Sequence, residues 1–172
     1  MTLKDKVSIV TGSATGLGAA VAIKLAERGS RVVINYTKSE KEAQETLEIV
    51  KSKGVDAILA QGDVGEDADC RRIAQAAVDK WGRIDVLVNN AGTTQFANHA
   101  DLEALSAEDF FWIYKVNVVG AYQMIRACTP HMKKVGKGSV VNVSSIAGVT
   151  GVGSSVAYAA SKGALNTLTL SL

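Results

Sequence analysis

At 172 residues the chain has the length of one domain, 1–172, able to bury roughly 70% of the surface its unfolded form exposes. A hydrophobic content of 47% and a net charge of +2 suit a soluble globular protein and give no reason to invoke nucleic acid or an anionic membrane. No apolar run approaches the ~20 residues that span a bilayer, and the opening "MTLKDKVSIVTG" lacks a signal-peptide layout, so a cytoplasmic location is expected. Cys70 and Cys128 are too few for a disulfide framework and lack metal-ligand spacing; both read as reduced packing residues.

In chain order, "KVSIV" is apolar at nearly every position, as a strand buried on both faces should be. Helical periodicity follows from about Leu17 to Arg28 and ends at Gly29. "RVVINY" is the second strand; Ser39 and Glu42 have the spacing of a capping box for the next helix, which runs towards Lys53 and Gly54. "VDAILAQGD" predicts strand three, with a helix after it from about Asp67 to Trp81. "IDVLVNNAG" predicts strand four, and a long helix covers roughly Ala107 to Lys133 with Pro130 near its end. "GSVVNVSS" predicts strand five, and from about Ser154 to Leu172 the chain is helical again. Five β/α units joined by single crossovers imply a doubly wound parallel sheet covered by helices on both faces.

Between the first strand and its helix lies "TGSATGLG", with glycines at Gly12, Gly16 and Gly18. This is neither the standard dinucleotide fingerprint, whose first two glycines are two apart, nor a P-loop, because no Lys-Ser/Thr pair follows. The physics is still that of a phosphate turn: a sharp exit from the strand, close backbone approach to a pyrophosphate, and a helix N-terminus offering free N–H groups to an anion.

A second stretch, "YAASK", places Tyr158 and Lys162 four residues apart, on one face of a helix. A free tyrosine has a pKa of ~10, too high for a base near neutrality, and a neighbouring positive charge stabilises the phenolate. Lys162 is thus placed to tune Tyr158 for general acid-base work. A serine hydrolase is the rival reading of the Ser144-Ser145 pair, but no Gly-x-Ser-x-Gly elbow surrounds it. His99 and His131 fall in segments with no triad logic and read as surface or helix-end residues, and no Asp/Glu/His cluster has metal-site spacing.

The glycine turn and "YAASK" together resemble the classical short-chain dehydrogenase/reductase family, over essentially the whole chain. Thr11, Gly12, Gly16 and Gly18 match its Thr-Gly-x-x-x-Gly-x-Gly turn, and Asn89, Asn90, Ala91 and Gly92 match its Asn-Asn-Ala-Gly motif. The resemblance implies a Rossmann fold, hydride transfer between a nicotinamide and a carbonyl or secondary alcohol, and a catalytic set of Asn117, Ser145, Tyr158 and Lys162. Ser145 is preferred to Ser144 because the family's serine-to-tyrosine spacing selects it. In the family the helix is distorted at the position of Asn117, whose backbone holds a water that joins Lys162 to a proton relay. The cofactor residues it implies are Gly12, Ser13, Thr15, Gly16, Leu17 and Gly18 in the turn and Tyr36, Thr37 and Lys38 after strand two. Asp63 and Val64 would lie at the adenine, joined by Asn90, Ala91 and Gly92 and by Tyr158 and Lys162 themselves.

NAD-preferring members carry an acidic residue at the end of strand two. Here Tyr36 stands there, and Lys38 with the Thr37 hydroxyl could receive a 2′-phosphate, so NADP(H) is favoured, with NAD(H) the other candidate. Against this, Thr15 occupies a turn position where many NADP-preferring relatives are basic. "VVINYTKSE" and "NVVGAYQMIRA" look most like the 3-oxoacyl-carrier-protein reductase group, which implies a small-molecule carbonyl or alcohol substrate and a homodimer or homotetramer. Family members continue past the Tyr-Lys helix with two further strands, a Pro-Gly turn and a helical lid. The chain is therefore expected to be truncated, with strand five an uncovered edge, and the competing expectation is a nucleotide-binding or assembly subunit with no turnover of its own.

Overall fold

The computed structural model describes residues 3–172. Strands β1 (Val7–Val10), β2 (Arg31–Tyr36), β3 (Ala57–Gln61), β4 (Val86–Asn89) and β5 (Ser139–Asn142) form one sheet in the order β3-β2-β1-β4-β5. Every pairing is parallel, with Ser8 opposite Val32 and Val86, and Val88 opposite Val141. Helices α1 (Gly16–Glu27), α2 (Glu40–Lys51) and α3 (Asp67–Trp81) alternate with the first four strands, as the hydrophobic periodicity predicts.

The sheet carries two cores, because its central strands are apolar on both faces. On one face Ile9, Val33 and Leu87 pack with Ile73 of α3 and with Met124 and Cys128 of the later helix α5 (Ala121–Val135). On the other, Val10, Val32 and Ile34 pack with Ala22 of α1 and with Leu47 and Val50 of α2. Burial of two faces is what an all-parallel sheet requires, and this is the doubly wound Rossmann architecture. Both cysteines are free and fully buried, and burial pushes their thiols up to about 12, which leaves them inert packing groups.

Three local features depart from the sequence expectations. Ser39 does precede α2, but its side chain makes no capping bond; the box forms instead at α4 (Ala107–Tyr114), where Ser106 and Asp109 bond reciprocally at 3.2 and 2.8 Å. The long helix is interrupted: residues Lys115–Gly120 are π-helical, and α5 then carries Pro130 within it and runs on to Val135. A short helix α6 (Ala147–Thr150) intervenes before α7 (Val156–Ser171), which packs against α4, α6 and the π segment. No helix of the described residues is long and apolar enough to cross a membrane. β5 is an outer strand of the sheet, and its Val140 and Val141 are 39% and 51% exposed.

Candidate active site

The carboxyl ends of β1 and β4 meet at the point where the strand order reverses, and the glycine turn leaves β1 there. Its geometry is fixed from behind by side chains. The Thr11 hydroxyl accepts the Asn90 and Ala91 amides, both at 3.0 Å, and Asn90 Nδ2 donates to the Thr11 and Gly12 carbonyls at 2.9 and 3.1 Å. Gly12 takes φ +61°, and a Cβ on Gly18 would lie 2.4 Å from the Gly12 carbonyl, so both positions exclude a side chain for a stated reason. Thr15 precedes α1 without capping it, and no acidic residue occupies the first turn, so no side chain offsets the positive end of the helix dipole there.

Asn35, which sequence reasoning did not single out, organises this end of the sheet. It is 2% exposed, accepts the Gly12 amide at 3.0 Å, and donates to the Ala60 and Gly62 carbonyls at 3.0 Å each. Ser13 is also buried, its hydroxyl donating to the Val10 carbonyl and accepting the Asn35 amide. Its side chain therefore builds the turn and does not reach the surface. The missed signal was an amide side chain at a strand end otherwise wholly apolar.

A cleft of about 460 Å³ runs outward from this point. Gly12, Tyr36, Thr37, Lys38, Asp63, Val64, Asn90, Ala91 and Gly92 line it, so most of the predicted cofactor residues converge on one surface. Trp112 and Val116 close it from the α4 side, two contributors the sequence reading did not name. Tyr36 is 8% exposed, whereas Thr37 and Lys38 are open to solvent, and Lys38 forms no ion pair with any described residue. Thr15, Leu17 and Gly18 stand at the turn, outside the cleft wall, and the wall does not include Ser145, Tyr158 or Lys162 either.

Ser145 follows β5, Tyr158 and Lys162 stand on α7, and Lys162 reaches the inner end of the cleft at Gly92. A Cβ on Gly92 would come within 3.4 Å of Asn117 Oδ1 and 3.6 Å of Lys162 Nζ, which places both side chains against that inner end. Lys162 is 4% exposed; its Nζ donates to the Val143 carbonyl at 2.8 Å and lies 5.7 Å from the centroid of the Tyr158 ring. Burial pushes the Lys162 ammonium below the usual lysine range, opposing the charge that the adjacent phenol would use.

Asn117 sits in the π-helical turn, and its side chain clamps the strand exit opposite: Oδ1 accepts the Thr93 amide at 2.7 Å and Nδ2 donates to the Thr93 carbonyl and to Ser161 Oγ, each at 2.9 Å. The two serines divide. Ser144 Oγ donates to the Lys162 carbonyl at 3.2 Å, whereas Ser145 Oγ only accepts, from the Ala147 amide at 3.2 Å, and keeps its own proton for another partner. His99 is exposed in the loop before α4 and His131 is part-buried in α5.

Comparison with known proteins gives this arrangement a family. A family model described as short chain dehydrogenase matches residues 6–172. A Streptomyces violaceoruber protein named as ketoacyl reductase 2 of the granaticin polyketide synthase is 46% identical over 157 residues, covering 91% of this chain and 61% of that protein. Versicolorin reductase 1 of Aspergillus parasiticus is 36% identical over 165 residues, 96% of this chain and 62% of that protein. A Burkholderia xenovorans crystal structure, named as a short-chain dehydrogenase/reductase, is 43% identical with a TM-score of 0.95, covering 97% of this chain and 70% of that one. The chain spans less than two thirds of the length of the curated relatives it matches. With the glycine turn, the sheet order and nearly every residue accounted for by one family model, the chain belongs to the short-chain dehydrogenases.

Proposed function

We propose that the chain carries the dinucleotide cleft and proton-transfer set of an NAD(P)(H)-dependent oxidoreductase interconverting a carbonyl and a secondary alcohol. The observation that carries this reading is the junction at Gly92, where a cleft lined by Gly12 of the glycine turn ends against Asn117 and Lys162. The residues fit a dinucleotide: an uncapped helix start without acidic residues suits a pyrophosphate, and the cleft between Tyr36 and Asp63 suits the adenosine. Tyr36, Thr37 and Lys38 put no carboxylate at the end of β2, and an unpaired ammonium there suits the 2′-phosphate of NADP(H), which is the favoured cofactor.

When bound, the nicotinamide supplies the hydride donor or acceptor. Tyr158 gives the proton to the carbonyl oxygen in reduction and removes it from the alcohol in oxidation. Ser145 turns its unspent O–H towards the same oxygen and orients it. Lys162, anchored by the Val143 carbonyl, places its positive charge beside the phenol ring. Asn117 holds the strand exit after β4 against α7 and completes the path for the proton.

A 3-oxoacyl thioester is the proposed substrate class, supported by the likeness to a protein named as a ketoacyl reductase. Exposed Phe111 on α4, Val119 in the π-helical segment and Tyr122 on α5 supply apolar surface for a homodimer or homotetramer. NADPH oxidation with an acetoacetyl thioester, read beside the intact mass of the sample, tests the proposal. Turnover supports it. Tight NADPH binding without turnover at a mass near 18.0 kDa would instead mark a nucleotide-binding or assembly module.

A further inference from the structure

Tyr158 is held by more than its own helix. Its amide donates to Ser155 Oγ at 3.3 Å, which caps α7, and its carbonyl accepts from Ser161 Oγ at 2.7 Å. Ser161 is in turn bonded to Asn117, and Asn117 to both backbone groups of Thr93. The neighbours of these end residues touch as well. Thr94 Oγ1 lies 2.5 Å from Ser154 Oγ, and the Ala97 amide donates to the Ser154 carbonyl at 3.2 Å.

Followed from Tyr158, the contacts form a closed ring: Ser155, Ser154, Thr94, Thr93, Asn117, Ser161 and back to Tyr158. The Thr94–Ser154 contact is the ring's one side-chain link between the two loops, which the Ala97–Ser154 backbone bond also joins. Ser154 also stands in the left-handed region, at φ +59°, one residue after Gly153 and three after Gly151, which take φ +126° and +74°. Glycine would hold that backbone without strain, so a serine there is a conformational cost that its hydroxyl offsets.

We propose that Thr94 and Ser154 form a clasp that positions Tyr158 for proton transfer, by tying the loop after β4 to the N-terminus of α7. Neither hydroxyl is a catalytic residue: each acts through the backbone of Tyr158 and through Asn117. The proposal rests on the oxidoreductase reading, since it assigns a consequence for turnover. The same loops carry Phe96 and Val152, 79% and 72% exposed, so the clasp also fixes the spacing of two apolar side chains on the flanking loops.

The test uses Thr94→Val, which keeps the volume and deletes the hydroxyl, Ser154→Gly, which accepts the positive φ and deletes the hydroxyl, their combination, and Thr94→Ser, which restores it. In the full-length protein, kcat for NADPH-dependent reduction of acetoacetyl-CoA should fall about tenfold or more in each single variant, as small misplacements of reacting groups do, with the NADPH Kd unchanged. The double variant should fall no further than either single one, because both break the same link. Thr94→Ser should recover wild-type kcat, and hydrogen exchange at the Tyr158 amide should quicken in the variants that lack the contact. Unchanged kcat in both single variants, losses that multiply in the double variant, or a kcat loss that Thr94→Ser fails to recover would each overturn the clasp. A wild-type protein without turnover removes the oxidoreductase reading and this role with it; wild-type turnover with indifferent variants removes the clasp alone.

Discussion

At the amino end of the strands, Asp85 is 6% exposed and accepts from Arg83 at 2.6 and 2.8 Å and from the Val7 amide at 3.0 Å, with Lys6 at 3.3 Å. Beside it Ser8 and Ser30 share a hydrogen bond of 2.7 Å between fully buried hydroxyls. At the carboxyl end the buried Thr11, Asn35 and Asn117, with the part-buried Asn90, bond mostly to backbone, and what they hold in place is a surface. The amino end closes on itself: each polar group there is satisfied by another group of the fold. The carboxyl end leaves helix amides, the Ser145 proton and the Tyr158 phenol without a hydrogen-bond partner among the described residues. The contrast shows one sheet using buried polarity in two ways, as a cross-brace below and as scaffolding for unsatisfied groups above.

If that division is right, the two ends should fail differently. Tyr158→Phe removes one oxygen from the upper end and should cut turnover by about 10²- to 10⁴-fold, with NADPH affinity and the urea midpoint nearly unchanged. Full activity in that variant would falsify the proton-transfer assignment. Asn35→Ala strikes the scaffolding itself: three hydrogen bonds of a buried side chain are lost, at about 2–3 kcal/mol of stability together with weakened cofactor binding. Loss of stability with cofactor affinity intact would separate Asn35 from the turn it is argued to hold.

Asp85→Asn should cost about 2 kcal/mol while the folded fraction keeps its turnover. Burial pushes the Asp85 carboxyl up, but the bonds from Arg83, Val7 and Lys6 outweigh it and hold the carboxyl below the usual range. The unfolded chain therefore binds the proton more tightly. The stabilisation is present above about pH 4 and is lost as the pH falls through the lower, folded value. Denaturation midpoints against pH should drop on that acid limb for the wild type and stay flatter for the variant; parallel curves would dismiss the brace. The smallest effect is expected for Lys38→Ala at the outer rim of the cleft. There the preference for NADPH over NADH should shrink about three- to tenfold, the scale of one charge-assisted bond in partial solvent. Tighter NADH than NADPH binding in the wild type would remove the cofactor preference altogether.

Much of the upper end could be read in one dimension because its constraints are local. Gly12 and Gly18 serve a turn only seven residues long, and Tyr158 and Lys162 share a helix face by spacing alone. The strand and helix order followed from period and β-branched runs, with errors where a local rule met a competing contact. Ser39 and Glu42 satisfied the spacing of a capping box without forming one, whereas Ser106 and Asp109 formed it unremarked. Asn117 carried no local sign of its π-helical turn beyond family resemblance, since a widened turn depends on what packs against it, here Thr93 and Ser161.

The sequence by itself determined the alternation of buried strands and amphipathic helices, the glycine turn and the Tyr-Lys spacing, because each rests on residues within a few positions of one another. Tertiary structure alone decided that Asn35 would brace the turn, that Ser145 and not Ser144 would keep a free proton, and that Thr94 would meet Ser154. Those partners stand between 2 and 60 residues apart, and the longer pairings exist only once a parallel sheet has brought separate loops to the same end.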